Sequence, residues 1–104
     1  MSKIKDLPVE ERPREKLLEY GADGLSDAEL LAIILGTGIK EKSALDLADE
    51  ILTKFGGFKG ISDRDFDDFK EINGLSDAKL ASISAMLEIS SRIVREVLKE
   101  YHII

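Results

Sequence analysis

A chain of 104 residues carrying a formal net charge of −6 is sized for one domain with one modest core, and its acidic balance argues against tight, indiscriminate binding to nucleic acid. It has no cysteine and a single histidine, His102, which excludes a disulfide framework, a thiolate zinc site and a histidine-built metal centre. Hydrophobic residues at 43%, charged residues at 35% and no apolar run near the ~20 residues of a membrane span describe a folded domain with no membrane contact, expected in the cytoplasm.

The hydrophobic period is helical almost throughout, so the chain is expected to be all-α: a compact bundle of about five helices, one domain over residues 1–104. Residues 1–12 read as an extended N-terminal arm without the apolar stretch of a signal peptide. The first helix is expected to start at Pro13, whose fixed φ suits the first helical position, and to stop at Gly21. The second starts at Ser26; its run Leu30 to Leu35 is apolar all round, which predicts the central buried helix, and Gly36-Thr37-Gly38 ends it.

A third helix is predicted from Ser43 to Phe55, with Ala44, Ala48, Ile51, Leu52 and Phe55 on one face. A fourth is predicted to start at Ser62 and to turn Phe66, Phe69 and Ile72 inward. The fifth, from Ser76, is long and carries Leu80, Ile83, Leu87, Val94 and Val97 at helical spacing. The tail 101–104 is apolar and reads as the lead into a further domain.

Four predicted helices thus begin on serine, and Glu29, Asp46 and Asp65 stand three residues after three of those serines. Ser26 with Glu29 has the spacing of a capping box, and Leu25 with Leu30 that of a hydrophobic staple. The phrase GLSDAELLAI at 24–33 returns as GLSDAKLASI at 74–83, and the one charge reversal between the copies puts Lys79 where the first copy has Glu29. A lysine in a first helical turn faces the positive end of the helix dipole and closes no capping box, a local disadvantage of roughly 0.3–1 kcal/mol. Surface variation, with Lys79 in water or paired to Asp77 or Glu71, explains it as readily as a phosphate held by Lys79 and the nearby backbone amides.

FKEINGLSDAKLASI resembles a helix-hairpin-helix motif, with Gly74 at the bend and Leu75 plugging it into the core. Such motifs grip the DNA backbone through hairpin amides without reading sequence. The resemblance implies a weak site made of Gly74, Leu75, Ser76, Asp77, Ala78 and Lys79. Arg12 and Arg14, near Lys3, Lys5 and Lys16, read as secondary basic contacts, against which Glu10, Glu11, Glu15 and Glu19 interleave as on an ordinary mixed surface. More widely, LPVEERPREKLLEYGADGLSDAELLAIILGTG, SALDLADEIL, FGGFKGI and INGLSDAKLASISAMLEI resemble the N-terminal helical domain of the bacterial RadC family. That resemblance implies a DNA-repair-associated protein in which this bundle precedes a metal-dependent, JAB/MPN-like domain as its partner. The His-x-His pair of such a domain is absent here, so the expected role is non-enzymatic, with no cofactor and no metal.

Two functions remain in view: a weak, sequence-independent DNA-backbone module, or a protein-interaction or regulatory domain that positions the C-terminal half without touching DNA. The acidic total, Ser76 and Asp77 favour the second. Nothing in the sequence points to catalysis. Adjacent pairs such as Asp67-Asp68 point apart on a helix, Thr37-Gly38 lacks the spacing of a phosphate-binding loop, and Glu88, Arg92 and Glu96 are spaced for local ion pairs.

Overall fold

Serine starts three of the helices for a purely local reason. In the structure, a computed structural model that describes residues 12–104, the hydroxyls of Ser26, Ser43 and Ser76 accept the backbone amide three residues on, at 3.2, 3.0 and 3.3 Å. Each opens a helix in which the chain leaves an extended residue and turns. The elements in order are α1 (Pro13–Tyr20), a 3-10 turn (Ala22–Gly24), α2 (Asp27–Leu35), α3 (Ala44–Phe55), α4 (Phe58–Ser62), α5 (Phe66–Phe69) and α6 (Asp77–Glu100). Among the described residues there is no strand, only one isolated bridge, Ile39 to Lys42, and the fold is all-α.

α3 rather than α2 is the central helix. It buries Ala44, Leu47, Ala48, Ile51 and Phe55, whereas α2 buries Leu31, Ala32 and Leu35 and leaves Ile34 exposed. Leu31, Leu47, Ile51, Ile61 and Ile83 are shut off from solvent entirely and join α2, α3, α4 and α6 in one cluster. Each such side chain contributes about 1.5–3 kcal/mol by leaving water. Phe55 meets Phe69 edge-on with ring centroids 4.9 Å apart, which ties α5 to the end of α3. No polar or charged residue is buried among those described.

The fourth predicted helix is the correction. Ser62 ends a helix instead of starting one: Gly57, at φ 98°, admits the chain directly into α4, and the Ser62 hydroxyl donates to the Lys59 carbonyl. α5 then starts after Asp65, whose amide donates to the Asp68 carboxylate in a box of its own. The bundle therefore has six α-helices among the described residues, and Phe66, expected inside, stands 57% exposed while Phe69 and Ile72 are buried.

α6 runs for 24 residues, about 36 Å, and only its first part lies in the bundle. Leu80 and Ile83 are buried; Val94 and Val97, spaced as if for the core, are exposed. The helix closes itself: the Ile103 amide reaches the Leu98 carbonyl at 2.8 Å and the His102 amide the Lys99 carbonyl at 3.0 Å, with His102 left-handed at φ 59°. No helix among the described residues is long and apolar enough to cross a membrane. The arm expected over 1–12 lies, apart from Arg12, outside the described residues, as do Lys3 and Lys5.

Candidate functional site

Between α5 and α6 the chain reverses over Lys70 to Ser76. The Leu75 amide donates to the Ile72 carbonyl at 3.4 Å, Gly74 takes φ 100°, and Leu75 packs against the core. Gly74 is needed twice over. Its φ disfavours any side chain, and a Cβ there would stand 3.1 Å from Cδ1 of Ile39, which lies over the bend. Ser76, Asp77 and Ala78 follow, all exposed. Among the described residues, the amides of Gly74, Ser76, Asp77 and Ala78 have no intramolecular acceptor, so the mouth of α6 is open.

The two copies of the repeated phrase diverge at their third helical residue because each meets a different neighbour. Glu29 accepts the Ser26 amide at 2.9 Å, closing the box, and also takes the Lys16 ammonium of α1 at 3.1 Å. Lys79 instead reaches out of its own helix. Its ammonium donates to the carbonyl of Leu35 and to Oγ1 of Thr37, both at 3.1 Å. Leu35 is the last residue of α2, whose orphan carbonyls and negative dipole end welcome a cation. The expected pairings with Asp77 or Glu71 are absent; Glu71 binds Lys54 at 3.1 Å. Both partners of Lys79 are neutral, so its charge is positioned without being cancelled by a carboxylate.

The Ser26 amide, helped by the Lys16 ammonium and opposed by burial, holds the Glu29 carboxyl below the ordinary glutamate range. A depressed carboxyl stabilises the fold above the unfolded-state pKa, and that contribution disappears as pH falls through the lower folded-state value. Glu29→Gln can still close a box but carries no charge. It is expected to cost about 0.5–1 kcal/mol at neutral pH, since Glu29 is only 17% exposed, and nothing in acid below that window. Urea unfolding at the two pH values checks this.

The α2–α3 loop clasps the bend at further points. Lys42 donates to the Asn73 carbonyl at 3.0 Å and pairs with Glu50 at 2.6 Å, and Ile39 covers Gly74. The other side of this loop walls an open groove of about 530 Å³ lined by Arg12, Arg14, Ile33, Thr37, Lys42 and Ser43. The structure thus gathers Arg12, Arg14 and Lys79 around one loop, and adds Thr37, Ile39 and Lys42, which sequence reasoning missed. Acid surrounds the site as well: Asp77 is exposed, and Lys70 pairs with Asp67 at 2.9 Å. Among the described residues no cluster of three or more His, Cys, Asp or Glu is arranged to hold a metal ion.

Fold and site together define a small all-helical domain whose two related helix starts, one closed and one open, are joined by a clasping loop. The chain belongs to the family described as UPF0758 N-terminal, which it matches over residues 4–81. It is 52% identical over 97 residues to a UPF0758 protein of Saccharophagus degradans, an alignment covering 93% of this chain and 43% of that protein. A UPF0758 protein of Clostridium kluyveri is 51% identical over 90 residues, covering 86% and 40%, and one of Stutzerimonas stutzeri is 50% identical over 96 residues, covering 92% and 43%. The chain therefore spans about two fifths of the length of these relatives. No solved structure matches it.

Proposed function

We propose that this domain is a non-catalytic module, the N-terminal part of a RadC-like protein, that touches the DNA backbone weakly and without reading sequence, through a helix-hairpin-helix bend at Gly74 to Lys79. One observation supports this reading above the rest. At the second helix start the amides are open and the lysine that stands where the first copy has Glu29 meets no carboxylate, its ammonium held by Leu35 and Thr37, whereas at the first Glu29 has closed the equivalent place. A phosphate oxygen is the acceptor that such a mouth suits. Arg12 and Arg14, around the same loop, lengthen the basic strip, with Glu15 among them. The net charge of −6 and the carboxylate of Asp77 keep the affinity low and strongly salt-dependent.

Fluorescence anisotropy at low salt, with short duplex and branched DNA, tests the reading. Lys79→Gln is expected to weaken binding to every DNA alike and to reduce the salt slope by about one, the signature of a lost phosphate contact. Asp77→Pro compared with Asp77→Asn isolates an amide at unchanged charge, since proline is tolerated at the first helical position; the proline variant is expected to bind less well. Thermal melts of each variant separate lost contact from lost fold. Unchanged affinity and slope in a folded Lys79→Gln protein would remove the nucleic-acid role.

A further inference from the structure

Along α6 and its C-cap, Leu80, Ile83, Leu87, Val94, Val97 and Tyr101 fall on one seam of three-four spacing, interrupted only at Ser90. The first part of that seam is used inside the domain: Leu80 and Ile83 are buried and Leu87 packs against the core. The second part faces solvent, with Val94 at 56%, Val97 at 43% and Tyr101 at 71% exposure, and Ile93 beside them at 55%. We propose that this open half of α6 is the seat of a second folded unit, namely the region that follows the matched part in the longer family members, so that one helix is shared between two cores. The proposal does not depend on any contact with DNA.

Three observations choose this occupant. The first is width. From Ile93 across to Leu98 the apolar face spans an arc of roughly 140°, the breadth of a helix laid on a globular core, where the seam of a two-stranded coil is narrower. Ile93 and Leu98 also stand at the flanking positions where such a coil carries charges. A second copy pairing helix to helix would leave both of these flanks wet.

The second is length. The aligned relatives have more than half of their residues outside the region shared with this chain. The family match itself ends at residue 81, so the open half of α6 lies outside the part that this match covers.

The third is the border. Arg95 lines one edge of the face and Glu96 and Glu100 the other, and none of the three forms an ion pair among the described residues. The complementary surface is therefore apolar, with an acidic rim facing Arg95 and a basic rim facing the two glutamates. A stable complex buries about 800 Å² on each side, an area for which Ile89, Ile93, Val94, Val97 and Tyr101 supply the apolar centre.

Hydrogen exchange on this chain and on the full-length Saccharophagus degradans relative tests the proposal. Amides aligned with residues 93–101 are expected to exchange at least tenfold more slowly in the longer protein. Aspartate at the two positions aligned with Val94 and Val97 is expected to abolish that difference while amides aligned with α3 stay protected. Equal exchange in the two proteins overturns the proposal. So does a stable dimer of this chain, seen by sedimentation and broken by Val97→Asp, because a second copy would then be the occupant.

Discussion

Gly38→Ala is expected to destabilise the domain by about 3 kcal/mol or more, although Gly38 carries no unusual backbone angle. A Cβ at this position would lie 2.0 Å from the Lys42 carbonyl oxygen, 2.6 Å from the Ser43 carbonyl carbon and 2.8 Å from the Ala44 nitrogen. All three are main-chain atoms at the start of α3, so no rotamer change relieves the clash. The loop itself must open, although Ile39 and Lys42 exchange backbone hydrogen bonds across it at 2.8 and 3.2 Å. Opening it withdraws Ser43 from its cap and Ile39 from Gly74. Gly24→Ala, with no atom within 4 Å of the added carbon, is the matched control and is expected to stay within about 0.5 kcal/mol of the parent in urea unfolding. Similar midpoints for the two variants would mean that the close approach at Gly38 is not real.

Lys79→Glu is expected to cost about 2 kcal/mol, the second-largest effect. It removes two hydrogen bonds donated by a charged group and sets a carboxylate against the carbonyl end of α2. The substitution also restores the sequence of a capping box with Ser76, worth a fraction of that loss. The two influences oppose each other, and the long-range one is the larger because it involves an ammonium held at two points. Lys79→Met, which keeps the aliphatic stem and adds no repulsion, is expected to lose about 1 kcal/mol. A gain in stability for Lys79→Glu would show that the local box outweighs the brace to α2.

These two residues also mark the boundary of what the sequence discloses. Helix starts at Ser26, Ser43 and Ser76 are legible because a hydroxyl accepts the amide three residues on whatever the rest of the chain does, and at the first two an acid there closes the box. The same logic misplaces the start at Ser62, since a left-handed glycine upstream, Gly57, starts the helix five residues sooner. The partner of Lys79 lies 44 positions away in another helix, and no spacing rule reaches that far. Close approaches are equally silent. Gly38 beside Lys42, and Gly60, whose Cβ would fall on the Phe55 carbonyl oxygen, look in the sequence like ordinary loop or helix glycines. The bend at Gly74 is legible as a bend; that Ile39 and Lys42 hold it is not. The apolar spacing of α6 correctly gives a helix and says nothing of where its cover ends, because burial depends on which other elements stand alongside.

Among the described residues the core contains no group that can gain or lose a proton, while three helices begin with a carboxylate that closes a box: Glu29, Asp46 and Asp68. Acid therefore has no handle on that interior and acts at the surface, where the Glu29 carboxyl is held below its ordinary range. Lowering the pH should loosen the first turn of α2 and leave the oily centre assembled, while α6, begun by a hydroxyl and braced by an ammonium, keeps its footing.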